Sequence, residues 1–347
     1  MKMKKKLTVV LLAVLLFLVA FIPFLTDSRA TLNLMTHIFL WAIFAMSYDI
    51  LLGYTGIVSF GHALFFGSGA YIVGLLLKYV GASWTNTILG ILASLIFGLL
   101  VALLLGSLSL RIRDAYFAMI TLAFAELFLV AALKLRWITG GEDGFSFRVP
   151  ELLSNRVVFY YLSLGALILT TFLLYRFTCS PAGRVLQAIR ENEQRAEALG
   201  YDVFRYKLLS TAVAGVTASL AGSLFGLQMR FVSASVLSLE KTIDALLMTI
   251  IGGSGTLYGA IIGSALVNLV QDWFTGLARV YPLFERWPLL FGFVYIIIVL
   301  FFPGGLVRAF SGMTETILFK WQARRNPADN YTPGKQDDAV RVCLKRR

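Results

Sequence analysis

The sequence predicts an all-α polytopic membrane protein of about eight to ten transmembrane or half-membrane helices, with one helix outside the bilayer. Three observations carry this expectation. Mean hydropathy is +0.79 and only 14% of residues are charged, a balance that water-soluble domains do not have. Apolar runs of roughly 20 residues with few or no charges recur from Leu7 to Phe302, the length that crosses a bilayer core. Between two such runs, Ser180 to Gly200 is polar yet patterned as a helix. At 347 residues the chain has little room for a second soluble domain, so residues 1–325 read as one membrane domain.

Lys2, Lys4, Lys5 and Lys6 precede the first apolar run, Leu7 to Leu25. It is longer than the apolar part of a usual signal peptide, and Ser28-Arg29-Ala30 is a poor cleavage site, so an uncleaved span is expected. Thr31 to Leu52 is the next, with Asp49 near its end in the position of a cap or interfacial charge. Ile57 to Val80 is apolar but carries Gly61, Gly67, Gly69 and Gly74. Asn86 to Leu110 repeats small residues every four positions (Gly90, Ser94, Gly98, Ala102, Gly106), a face that admits a close helix neighbour. Ala115 to Leu133 follows with Glu126 inside it, then a polar loop, Lys134 to Arg156, and a span from Val157 to Phe177. Leu208 to Gln228 again has small residues at intervals of four: Ala214, Ala218, Gly222 and Gly226.

Thr242 to Val270 is long enough for one tilted span, but Gly252-Gly253-Ser254-Gly255 interrupts it. Read as a re-entrant pair of half-helices, it leaves the C-terminal tail in the cytoplasm after a last span, Pro288 to Phe302. That reading places 21 of the 31 Lys and Arg residues on the cytoplasmic side, as the positive-inside rule requires. It also accounts for the net charge of +12 without nucleic acid, because the basic residues gather at span ends and termini. Residues 326–347, rich in Pro, Asp, Gly and Lys, are expected to be a disordered cytoplasmic tail.

In the polar stretch Ser180 is a good N-cap, Pro181 suits the first helical position and Gly200 suits the end. Val185, Leu186, Ile189, Ala196 and Leu199 fall mostly on one face of a single expected helix. That stripe needs a partner outside the membrane: either a protein subunit or the lipid headgroups.

The run Arg184 to Gly200, with Ala188-Ile189-Arg190-Glu191-Asn192-Glu193 and Ala196-Glu197-Ala198-Leu199-Gly200, resembles the cytoplasmic coupling loop of ABC-importer permeases of the LivH/LivM family, which serve branched-chain amino acid uptake. Four further segments match in family order: Gly53-Tyr54-Thr55-Gly56-Ile57-Val58-Ser59-Phe60-Gly61-His62-Ala63, Thr139 to Gly144, Gly252 to Gly259, and Phe302 to Leu306. Urea and amide permeases are built on closely similar motifs. The resemblance implies a coupling segment over 180–207, with Arg184, Ile189, Arg190, Glu191, Glu193, Ala196, Glu197, Leu199 and Gly200 meeting an ATPase. It also implies two ATPase subunits that bind ATP and Mg, a related LivH-like second permease, and a soluble substrate-binding protein. The chain itself would bind no cofactor and reside in a bacterial inner membrane with both termini cytoplasmic.

Irregular backbone at membrane depth is tolerated only where protein buries it or it lines a water-filled cavity. Gly53 to Tyr71 and Gly252 to Gly259 are the places where this chain is expected to leave helical geometry. Broken helices present N-terminal partial charge to a substrate carboxylate, which makes Gly53, Gly56, Ser59, Gly61, His62, Gly67 and Gly69 candidate pathway residues, with Gly252, Gly253 and Gly255 from the second break. The same glycines could serve close packing alone, and Gly255, Gly259 and Gly263 form a small-residue face. His62 is either a pathway hydrogen-bonder or a structural one. Glu126 is a functional candidate as a carboxylate deep in an apolar run, or else a group paired between helices.

Other chemistries find no support. No G-x-x-x-x-G-K-[ST] run, G-x-S-x-G or H-E-x-x-H occurs, so neither a nucleotide site nor a hydrolase is expected on this chain. Cys179 and Cys343 lack metal or redox spacing, and two histidines, His37 and His62, make no metal centre. An ion-coupled secondary carrier would carry more ionisable groups inside its spans and would need no amphipathic cytoplasmic helix.

Overall fold

The computed structural model describes residues 20–23, 28–110 and 115–278, with single helical positions at 292, 296 and 305. The expected first and last spans lie largely outside the described residues, and the tail wholly so. What is described is all-α apart from one two-stranded ladder.

Helix α1 (Arg29–Asp49) runs into a π-helical turn, Ile50–Thr55. The chain leaves helical geometry over 56–61 and resumes as α2 (His62–Tyr79). Then come α3 (Trp84–Ser109), α4 (Ala115–Lys134), α5 (Arg156–Cys179), α6 (Pro181–Glu191), α7 (Glu193–Ala198), α8 (Val203–Met229), α9 (Leu239–Gly252) and α10 (Leu257–Ala278). Among the described residues, five segments are long and apolar enough to cross a membrane: Arg29–Thr55, Trp84–Ser109, Tyr116–Lys134, Arg156–Cys179 and Val203–Met229. Helices α9 and α10 meet the same test only as a pair, bent by 113° at the Gly252–Gly255 run. The bend is the geometry of a broken or re-entrant segment, as the glycine run suggests.

The centre of the molecule is α1. Every residue from Ile38 to Leu51 is buried, which explains why its sequence is apolar on all sides and not amphipathic. Trp41 stacks on Phe66 of α2 with centroids 5.8 Å apart, and Phe44 lies 4.5 Å from Phe66. On the other flank Phe39 meets Tyr160 of α5 edge-on at 5.2 Å.

Close packing elsewhere follows the small residues. Gly90, Ser94, Gly98, Ala102 and Gly106 are all buried on α3, whose remaining surface is mostly exposed. A Cβ at Gly98 would strike Ser219 of α8, and one at Gly215 would lie 2.8 Å from the Ala102 Cβ. Further along the same face of α8, Gly222 packs on the Phe66 backbone and Gly226 on Ala70. Gly67 and Gly69 sit inside regular helix: the first packs on Leu237, the second on the Ser219 carbonyl. The break expected over 53–71 is therefore confined to 56–61, because helix–helix proximity, not irregular backbone, is what Gly67 and Gly69 serve.

The 134–156 loop is more ordered than a polar linker. Phe145–Ser146 pairs antiparallel with Phe231–Val232, and Arg136–Thr139 and Glu151–Ser154 form single helical turns. The ladder ties this loop to the end of α8.

Candidate functional site

The polar 180–207 segment begins as expected. Ser180 Oγ accepts the Gly183 N–H at 3.2 Å with Pro181 at the first position. It does not continue as one helix. Asn192 adopts φ −160° and ψ 104°, and its Oδ1 accepts the Arg195 N–H at 2.8 Å, so the residue ends α6 and caps α7. A short side chain that can bond its own downstream backbone competes with helix continuation. Gly200 closes α7 at φ +87°, a conformation that glycine adopts without strain.

The apolar stripe is mostly used within the chain. Val185, Ile189 and Ala196 are buried against Val203 and Tyr206 at the base of α8, and Leu186 is fully buried. Leu199 alone of the five stands out, 70% exposed. The folded stripe thus finds its main partner in α8, a tertiary contact that a helical wheel does not contain. Arg184, Glu191 and Glu197 are exposed, and Glu193 binds Lys207 at 2.7 Å.

Arg190 is exposed as well, yet its guanidinium reaches inward. Its Nη1 donates to the Gly53 carbonyl, joining α6 to the π-helical turn 137 positions earlier. Gly53 has no room for a side chain, because a Cβ there would collide with Asp49 Oδ1 and the Gly255 nitrogen. The Gly255 N–H in turn donates to Asp49 Oδ1 at 2.7 Å. Gly255 is at φ +81°, and a Cβ on it would lie 2.8 Å from Arg190 Nη1. The polar segment, the first break and the second break therefore meet within a few ångströms.

Asp49 is at the heart of this cluster and not at an interface. It is fully buried and caps nothing, since the helix runs on past it as a π-turn to Thr55. Its Oδ2 accepts no hydrogen bond among the described residues.

The open segment 56–61 and the first turn of α2 are held by side chains of other helices and of the segment itself, as unpaired backbone at depth must be. Phe60 N–H bonds Thr121 Oγ1 at 3.2 Å, Ala63 N–H bonds Thr242 Oγ1 at 2.9 Å and Gly61 N–H bonds Ser59 Oγ at 3.3 Å. His62 is fully buried, stacked on Phe44 at 5.2 Å, with Nε2 2.7 Å from Ser47 Oγ. Across the second break, Thr249 Oγ1 bonds the Ala45 carbonyl at 3.1 Å, and Gly252 packs on the Gly259 carbonyl.

Of the residues expected along a pathway, Gly53, Ser59, Gly61, His62, Gly252, Gly253 and Gly255 are buried, with Gly53 against Gly255, whereas Gly56 and Glu126 are exposed. Glu126 lies on the outer face of α4, in an exposed stripe with Tyr116, Met119, Ala123, Leu127 and Val130. Two cavities lie at opposite ends. One, of about 430 Å³, opens beside the coupling segment and is lined by Gly56, Val58, Phe117, Arg190, Asn192 and Lys207 among others. The other, of about 620 Å³, is bordered by Arg29, Asn33, Arg156, Gln228 and Arg230. Sequence reasoning missed Asp49 as a site residue. Its signal was a carboxylate four positions before Gly53, one helical turn away.

A helical membrane domain with two glycine breaks, tied together by a polar segment beyond the spans, defines a transporter subunit of the permease class. The family model for the permease component of branched-chain amino acid transport systems matches residues 30–302, and the chain belongs to that family. It is 28% identical to the high-affinity branched-chain amino acid transport permease LivM of Salmonella typhimurium, over 86% of this chain and 74% of that one. It is 27% identical to the probable LivM of Methanocaldococcus jannaschii over 80% and 94%, and 22% identical to the Salmonella typhimurium LivH over 77% and 91%. No solved structure matches. These relatives are permeases of transport systems, and the chain is a membrane-embedded permease, not an enzyme.

Proposed function

We propose that the chain is a membrane-spanning subunit of an ATP-driven ABC importer that carries branched-chain amino acids across a bacterial inner membrane. The observation that carries this reading is the link from Arg190 to Gly53. A segment outside the spans, with Leu199 and several charges left uncovered, is hydrogen-bonded to broken helices inside the membrane. An ion-coupled carrier has no use for such a device. Two ATPase subunits, which hold ATP and Mg, engage the 180–207 segment. A soluble binding protein delivers substrate to the outer side, and both termini lie in the cytoplasm, with residues 1–325 as the permease domain and 326–347 as its tail.

A LivH-like second permease completes the pathway. Among the described residues, Trp41, Phe44, Phe66 and their neighbours pack the middle of this chain, which favours a pathway shared with a second subunit. The outer faces of α3 and α4 also differ. The exposed face of α3 is Ile and Leu throughout its middle, suited to lipid, whereas the α4 stripe carries Glu126, which hydrocarbon cannot solvate. The α4 face therefore meets the second permease, and Glu126 lies at the seam between them.

Reconstitution of the chain with its ATPase, second permease and binding protein tests the reading. Uptake of leucine, isoleucine or valine should require ATP and the binding protein. Uptake of urea or an amide instead would select the other substrate class of the family. Uptake driven by a proton or sodium gradient without the ATPase would overturn the importer assignment.

A further inference from the structure

One side chain of the 180–207 segment, Arg190, reaches a glycine of the first break, and that glycine is packed against a buried acid. We propose that Arg190 is the positioning residue that carries displacement of the coupling segment into the membrane core, and that the Asp49 carboxylate is its second acceptor. The proposal rests on the reading that residues 180–207 engage an ATPase.

The packing of Val185, Ile189 and Ala196 on Val203 and Tyr206 ties the segment to the base of α8, whereas the Arg190 bond ties it to the two breaks. The Gly53 carbonyl accepts from Arg190, and Gly53 is the residue of the π-helical turn that has no space between Asp49 and Gly255. A π-turn holds one residue more than regular helix and is a place where a helix can shift register. The Gly255 turn is fastened to the same point through Asp49 Oδ1. Whatever moves Gly53 must therefore move the 253–255 turn, and through it α9 and α10. Thr249 extends the tie to the Ala45 carbonyl of α1.

Asp49 supplies the alternative. One of its oxygens is taken by Gly255, while Oδ2 is buried and accepts nothing among the described residues. Arg190 and Asp49 form no ion pair here, as the direct charge pairs among the described residues are Arg205–Asp202, Lys207–Glu193 and Lys241–Asp244. Yet the guanidinium stands just across Gly53 and Gly255, neither of which has a side chain to obstruct it. A guanidinium carries five N–H donors, so it can take up Oδ2 when α6 moves and return to the Gly53 carbonyl when it relaxes. A buried acceptor left unpaired in one state and paired in the other makes two discrete arrangements, the requirement for a transmitted change.

The test uses the full complex in lipid nanodiscs, with Arg190→Met, Arg190→Lys and Asp49→Asn. Three readouts are taken: ATPase retention on purification, hydrogen exchange across 50–61 and 252–257, and ATP-driven uptake. Arg190→Met should keep the ATPase, speed exchange in both segments at least several-fold, and lower uptake more than tenfold. Arg190→Lys, which keeps one donor of shorter reach, should fall between and guards against a variant that does not accumulate. Asp49→Asn should leave exchange in the resting state unchanged, because a neutral amide oxygen still accepts from Gly255, but lower uptake as the charged acceptor is gone. Unchanged exchange and uptake in Arg190→Met overturns the proposal, as does full uptake in Asp49→Asn. ATPase lost from Arg190→Met but retained by the wild type shows Arg190 to face outward, which overturns this proposal and leaves the coupling reading intact. A wild-type complex that never retains the ATPase overturns the coupling reading, and the transmission role with it.

Discussion

At the scale of single residues, the coupling segment separates positions that hold the fold from positions free to meet another protein. Ile189 is 3% exposed and Leu199 70%, although both belong to one apolar pattern. Truncating Ile189 to Ala removes buried contacts between α6 and α8 and should destabilise the chain by about 2–4 kcal/mol, seen as lower membrane levels and easier thermal aggregation in detergent. Leu199→Asp touches no buried contact, so membrane levels should stay at wild type and stability within ~0.5 kcal/mol. ATPase co-purification should fall at least tenfold, since burying a leucine in a partner groove is worth roughly 1.5–3 kcal/mol and a desolvated charge adds to the loss. Retained co-purification with full uptake would remove Leu199 from the ATPase contact. Gly200 makes a different case. No atom lies within 4 Å of a Cβ built there, but φ is +87°, so Gly200→Val is strained by backbone conformation alone, at about 1–2 kcal/mol. It should misdirect the entry into α8 and weaken ATPase retention without abolishing insertion.

At the scale of elements, small residues decide which helices touch. The α3–α8 crossing depends on Gly98 and Gly215, whose missing side chains let Ala102 and Ser219 approach. Gly98→Leu should force the two helices apart and sharply reduce the amount of folded permease recovered by size-exclusion chromatography. Gly165→Leu on α5 is the matched control: nothing lies within 4 Å of its Cβ, so recovery should match wild type. The bent α9–α10 pair follows the same rule. A Cβ on Gly259 would approach the Gly252 and Gly253 carbonyls to 2.9 and 2.8 Å, so Gly259→Leu should lower assembly as well as transport. Normal assembly with normal transport would show that the bend tolerates separation. The spacing of small residues on α3 and α8 was legible beforehand because every fourth residue shares a helix face. The helix break at Asn192 was not, since it depends on a side-chain bond that competes with an otherwise good helical pattern.

At the scale of the whole molecule, the placement of charge sets the topology and the exposed faces set the neighbours. In the proposed orientation the ladder of Phe145–Ser146 with Phe231–Val232 lies on the outer side and Cys179 on the cytoplasmic one. Ser146 is exposed, so a membrane-impermeant thiol reagent should label Ser146→Cys in cells stripped of any outer barrier and leave Cys179 unmodified. Labelling of Cys179 alone would invert the assignment of every span. The α4 stripe around Glu126 predicts a contact between chains: a photoreactive residue at Met119 or Leu127 should crosslink to the second permease, and one at Ile96 on α3 should meet only lipid. Crosslinking within the chain, or to neither, would count against the seam.

Mean hydropathy, run length and the glycine runs were enough to establish a helical membrane protein, an amphipathic segment outside its spans and the approximate places where its helices break, because these depend on local composition and on periodicity along the chain. Neither the surroundings of Asp49 nor the outward face of Glu126 could be inferred in that way. Asp49 looked like a helix end until the π-helical turn carried the helix past it and Gly255, 206 positions away, gave it a hydrogen bond. Glu126 lies in a helix that is apolar on all sides, so no periodicity marks which face looks outward. The partner of the Val185–Ala196 stripe was equally hidden, because Val203 and Tyr206 reach it only after the chain has turned at Gly200. Contacts between segments distant in sequence are settled by how helices pack in three dimensions, and a one-dimensional pattern records that a face must be covered without recording what covers it.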